Sequence, residues 1–169
     1  MRNAAVKAVA LGGMLAALAV VIMSLGGMIP LATFVLPVLC MVTEVVVLRW
    51  CGRKLAWVWF AAVAILSLLL CPDKEAAAVF VALGYYPIIK PSLDGFRLRW
   101  LWKLLLFNGV ILCLYWMLTH LFGMAELMQE FRELGQWGIV ITLALGNATF
   151  FLLDLALKRI WLLTGRIQK

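Results

Sequence analysis

Long apolar runs broken by short charged clusters set the pattern of this chain. From Ala8 to Leu48 the only charged residue is Glu44. As helix, at 1.5 Å per residue, that run would measure about 60 Å, twice a hydrocarbon core of about 30 Å. It must therefore turn, and Gly26, Gly27 and Pro30 supply the break. The pattern predicts a first span at roughly 7–26 and a second at roughly 32–48, with Pro37 near its start and Arg49, Arg53 and Lys54 closing it. A third, LAWVWFAAVAILSLLLC at roughly 55–71, stops at Pro72-Asp73-Lys74, a helix-end signal. The fourth, roughly 75–89, is short and interrupted by Gly84 and Pro87, and Lys90–Gly95 reads as a loop after it. Spans five and six fall at roughly 101–122 and 138–157.

Charge turns this pattern into a topology. With the N-terminus inside, Arg2, Lys7, Arg49, Arg53, Lys54, Lys90, Arg97, Arg99, Lys103, Lys158, Arg159, Arg166 and Lys169 are all cytoplasmic. Only Lys74 and Arg132 lie outside, so the count is thirteen against two and positive-inside. If the fourth span did not cross, the Lys90–Lys103 cluster would move outside and the bias would collapse. The expected fold is an all-α integral membrane domain over residues 1–169, a six-transmembrane-helix bundle with both termini cytoplasmic, in the cell membrane. Composition agrees: 66% of residues are hydrophobic and 14% charged, too little polar surface for a water-facing domain of 169 residues. The net charge of +7 is scattered between apolar runs and forms no basic stripe, which argues against nucleic-acid binding.

Two segments have competing readings. The opening MRNAAVKAVALGGMLAALAVV resembles a signal peptide in charge order, but its apolar stretch is too long and no polar mature domain follows. It reads as a retained first span. Between spans five and six, Met124, Leu127, Met128, Phe131 and Leu134 recur at helical spacing, with Glu126, Glu130 and Glu133 elsewhere on the turn. This predicts a short amphipathic outer helix, either a connector resting at the interface or a lid over an outward-facing pocket.

The chemistry on offer is sparse. Cys40, Cys51, Cys71 and Cys113 show neither metal spacing nor disulfide pairing. One histidine, no Gly-x-Ser-x-Gly elbow and no phosphate loop leave no enzyme signature, no route to ATP hydrolysis and no call for a metal or cofactor. On span one, Ala8, Gly12 and Ala16 repeat at four-residue spacing on one face, with Ala4 before them and Gly13 and Ala17 beside them. Lipid gives helices no hydrophobic reason to associate, so such a face packs closely, either on another span or on a partner protein. Glu44 and Asp154 are the intramembrane acids, and both fall in the inner third. Asp154 has Lys158 one turn on, while Glu44 is five residues from Arg49 and has Lys7 or Lys103 as further partners. On the outer half, Tyr115, Trp116, His120, Trp137 and Asn147 form a candidate substrate wall, aromatic with a few polar anchors, with Thr119, Gln136 and Thr142 nearby. The same tryptophans also suit an interfacial aromatic belt.

The stretch KAVALGGMLAALAVVIMSLGGMIPLATFVLPVL, after a basic N-terminus, resembles the opening of an energy-coupling factor (ECF) transporter S component. That family shares a small-residue first helix, a Gly/Pro-containing outer loop and a proline-marked second helix. Size, span number and topology agree over nearly the whole chain. The resemblance implies a binding subunit for a vitamin or related micronutrient, with an outward-facing pocket. It further implies that the Ala8–Gly12–Ala16 face docks a transmembrane coupling subunit, whose ATPases supply the energy. The alternative is a ligand-free membrane scaffold of the rod-shape morphogenesis type, similar in size and span number.

Overall fold

The computed structural model describes residues 2–28, 32–95, 97–117 and 136–166. The expected amphipathic segment, Pro30, Thr119 and His120 lie outside the described residues. Within them every regular element is helical: α1 (Arg2–Ser24) with a 3-10 turn at Leu25–Met28, α2 (Ala32–Cys51), α3 (Arg53–Leu70), α4 (Lys74–Leu83), α5 (Tyr86–Asp94), α6 (Arg99–Trp116) and α7 (Gln136–Arg166). Three stretches, Val6–Ser24, Arg53–Leu70 and Lys74–Asp94, are long and apolar enough to cross a membrane. Large apolar side chains line the exterior, among them Met14, Leu69 and Leu145. Such a surface is costly in water and neutral in lipid.

Helix α2 is the centre, touching α1, α3, α4, α5 and α7. Its buried face carries Cys40, Met41, Glu44, Val45 and Val47, each fully enclosed. Against α1 the contact is close enough for side-chain thiols to reach backbone. Cys40 donates to the Ala19 carbonyl at 3.4 Å and Cys51 to the Ala8 carbonyl at 3.3 Å. The small residues of α1 allow that approach.

The turns follow from their residues. Gly52 joins α2 to α3 at a φ of +87°, a region that side-chain-bearing residues rarely enter. At the other end of α3, Pro72-Asp73-Lys74 serves two helices at once. The Asp73 carboxylate accepts from the Ala76 amide at 3.0 Å and caps α4. Lys74 reaches back and donates to the Leu68 carbonyl at 2.7 Å, satisfying the end of α3.

The expected fourth span is two helices that meet at Gly84-Tyr85. A Cβ on Gly84 would fall 2.6 Å from the Phe80 carbonyl and 2.9 Å from the Phe60 ring, so only glycine fits the junction. The expected loop at Lys90–Gly95 is instead helical through Asp94. Pro91 lies inside α5 all the same, at an exposed position three residues before the helix ends at Asp94, and leaves the Pro87 carbonyl without its helical donor. Helix α7 also exceeds its expected span. Its 31 residues measure about 46 Å, so it outruns a hydrocarbon core of about 30 Å.

Candidate functional site

Backbone directions bring the start of α1, the end of α2, the end of α5, the start of α6 and the end of α7 to one end of the bundle. That end carries Arg49, Arg53, Lys54, Lys90, Arg97, Arg99, Lys103, Lys158 and Arg159. Arg49 ties α2 to α7 there: its guanidinium donates to the Trp161 carbonyl at 2.6 Å and lies 4.1 Å from the centre of the Trp161 ring.

Just inside this end, α5, α6 and α7 share an ionic cluster built on two buried lysines, with Asp154 partly buried and Asp94 exposed. Asp154 of α7 forms an ion pair with Lys90 of α5 and accepts from Lys103 of α6 at 3.1 and 3.2 Å. The Tyr86 hydroxyl donates to the same carboxylate at 2.5 Å. Lys103 also pairs with Asp94 at 2.6 Å, and Lys90 lies 3.9 Å from it. Both lysines are nearly inaccessible, at 5% and 4% exposure. Two lysines against two aspartates make the cluster formally neutral, and each charge has an opposite partner. That is the condition under which charges survive away from water. Lys158, the partner expected for Asp154, is exposed and makes no ion pair with it. A pair one turn apart on the same helix loses to Lys90 and Lys103, which arrive from facing helices.

Glu44 is the counter-case. It is fully buried, and neither carboxylate oxygen has a hydrogen-bond partner among the described residues. Its expected partners are committed or out of place. Arg49 holds Trp161, Lys103 holds Asp94 and Asp154, and Lys7 is exposed.

The residues expected to line a substrate pocket are distributed unevenly. Tyr115 and Trp137 lie on α6 and α7, and Trp116 at the end of α6 is 61% exposed. Asn147, near the middle of α7, donates to the Asn108 side chain of α6 at 3.0 Å and to the Leu143 carbonyl at 2.8 Å. It thereby gives the amide the partner that burial in an apolar bundle requires. Below this pair, towards the basic end, α6 and α7 part around a cleft of about 820 Å³ that Asn147, Phe150, Lys103 and Arg97–Leu101 line. A smaller one of about 290 Å³ adjoins it through Asp94, with Arg49, Lys90, Lys158 and Trp161 on its walls. Among the described residues no group of three metal-ligating side chains converges.

The first-helix stripe faces inward. Gly12 is buried, and a Cβ there would meet Leu55 of α3 at 3.5 Å. Ala16 packs against the core, and Ala8 holds the Cys51 thiol. Of the two uses open to this stripe, packing on a neighbouring helix is the one seen. Gly13, one position on, is exposed with nothing within 4 Å of a Cβ.

Sequence reasoning took Lys90 and Lys103 as topology markers and missed them as cluster members. The available signal was Lys103 inside RWLWKLLLF, a cation with apolar residues on both sides that demands an acid from another helix. Tyr86, Lys90 and Asp94 at successive four-residue steps place three polar groups on one face of α5. No protein-family model, curated protein or solved structure matches the chain.

Proposed function

We propose that this chain is the substrate-binding component of an ECF-type importer, capturing a vitamin or related micronutrient from outside. In this reading it crosses the membrane six times with both termini cytoplasmic, and a coupling subunit with its ATPases supplies the energy. The observation that carries the reading is the broken α4–α5 segment set against the buried Lys90–Asp154–Lys103 cluster. Interrupted helices and paired intramembrane charges recur along transport paths, which favours this reading over a bundle that only scaffolds. The substrate would sit on the outer side of the Asn108–Asn147 pair, between α6 and α7. Tyr115, Trp116, His120 and Trp137 would supply its walls. Since Gly12 packs inward, contact with the coupling subunit would fall to the neighbouring exposed side of α1, at Ala10, Gly13 and Ala17.

The decisive experiment is mass spectrometry of a denatured extract of the purified protein. A stoichiometric small molecule, lost or weakened about ten- to hundredfold in Asn147→Ala, is the expected outcome. An empty protein that co-purifies with wall-synthesis proteins would replace this reading with the scaffold. Topology is checked separately by labelling introduced cysteines from outside. Position 73 should react and positions 53, 97 and 166 should not.

A further inference from the structure

The larger cleft has a chemistry of its own. Within the ionic cluster Lys90 and Lys103 are balanced by Asp94 and Asp154, so those four contribute no net charge. Arg97 and Arg99, on the cleft's rim, have no acidic partner among the described residues and carry a surplus of two positive charges. The walls beyond them are Trp100, Leu101, Leu104 and Phe151, each more than half exposed on the outside of the bundle. Trp100 and Phe151 stack at 6.1 Å across the gap between α6 and α7. A cavity whose rim is cationic and whose walls open sideways onto an apolar exterior matches a molecule with an anionic head and apolar tails. A soluble anion would use the rim and leave the walls without a function.

We propose that this cleft binds an anionic phospholipid, with its phosphate at Arg97 and Arg99 and its acyl chains along Trp100, Leu101, Leu104 and Phe151. The site is independent of the uptake role proposed above, and either can fail without the other. Basic pockets between helices at the membrane interface are suited to such headgroups, each cation near the surface strengthening binding about fivefold.

The test uses the full chain in detergent, titrated with phosphatidylglycerol, with phosphatidylcholine of the same acyl chains and with inorganic phosphate, and read by native mass spectrometry. Phosphatidylglycerol should be retained in preference to phosphatidylcholine, and inorganic phosphate should not compete with it. The preference should fall about fivefold in Arg97→Gln or Arg99→Gln and about thirtyfold in the double variant, and should persist when both become lysine. Arg53→Gln with Lys54→Gln removes two exposed cations from the same end but not from the cleft, and should leave the preference intact. Equal retention of the two lipids by the unaltered chain would overturn the proposal. So would an equal loss in the Arg53/Lys54 variant, which would show a diffuse field. Phosphate binding that needs Arg97 and Arg99 while lipids bind indifferently would assign the rim to a soluble anion and overturn the lipid assignment.

Discussion

The α1–α3 half and the α5–α7 half of this bundle hold their helices together by different means. In the first, contact is made by small residues and thiols: Gly12 against Leu55, Cys40 on the Ala19 carbonyl, Cys51 on the Ala8 carbonyl. Among the described residues its one fully buried ionisable side chain, Glu44, contributes no hydrogen bond to it. In the second, an ionic cluster joins three helices, and rings fill the space above it. Phe107 stacks on Phe150 at 3.4 Å between centroids, and Tyr86 meets Phe150 edge-on at 5.1 Å. Dispersion between close backbones is non-specific but robust to polarity, whereas a charged cluster specifies partners and depends on every member being present. The first half should therefore be most sensitive to bulk on α1, and the second to the loss of any one charged partner.

The largest expected effect tests the second half. Asp154→Leu leaves Lys90 and Lys103 buried with Asp94 as their only acid. Losing one partner of a buried pair costs about 3–5 kcal/mol. In detergent unfolding curves the variant should lose that much stability or fail to fold. Adding Lys90→Met should restore part of the loss, since two lysines are then reduced to one that Asp94 already holds at 2.6 Å. If Asp154→Leu unfolds like the parent, the cluster does not hold α5–α7 together and the contrast between the halves is lost.

Next is bulk on the first helix. Gly12→Ala places a Cβ at ordinary contact distance from Leu55 and should be nearly neutral. Gly12→Leu must displace α3 and should cost about 1–3 kcal/mol. Gly13→Leu meets open space and should shift stability by no more than about 0.5 kcal/mol. Measured side by side, the three variants map which side of α1 is occupied. Equal cost at positions 12 and 13 would place α1 in a different rotation from the one described.

These two halves were also unequally legible. The apolar runs and their breaks foretold α1, α2 and α3 to within a few residues, because hydrophobic length and Gly/Pro punctuation are local properties. The small stripe of α1 was visible too, though not which of its two uses applied, since a sequence shows a face and not what covers it. The Lys90–Asp154–Lys103 cluster was hidden for a related reason. Its members lie 51 and 64 residues apart, and local spacing suggested Lys158 instead. The helical character of Lys90–Asp94 was obscured by Pro91, a helix breaker by local propensity that lies inside α5 all the same.

Glu44 offers an effect of opposite sign. A buried polar group without a partner carries an uncompensated desolvation cost, so replacing it with an apolar side chain of similar volume relieves that cost. Glu44→Met should raise stability by about 1 kcal/mol, against the loss expected at Asp154. Should Glu44→Met destabilise the chain, the carboxyl must have a partner beyond the described residues. A gain in stability accompanied by loss of transport would mark Glu44 as a group kept for function at a structural cost.

A small loss is expected at the boundary between the cleft and the proposed substrate pocket. Asn147→Ala removes the hydrogen bond that crosses from α7 to Asn108 of α6. Interhelical hydrogen bonds of this kind contribute about 0.6 kcal/mol on average in membrane proteins, because the separated helices find other partners. The variant should therefore unfold close to the parent, and a double-mutant cycle with Asn108→Ala should return a coupling of about that size. The contrast with Asp154 follows from charge: a lost amide bond leaves one neutral carbonyl to be satisfied, whereas a lost carboxylate leaves cations. A small stability change also makes the affinity measurement interpretable. If Asn147→Ala leaves stability nearly untouched and weakens a co-purifying ligand about ten- to hundredfold, the amide acts on the ligand directly. A coupling of several kcal/mol would instead show that the Asn108–Asn147 pair is a structural tie comparable to the ionic cluster, and that the outer halves of α6 and α7 depend on it to stay together.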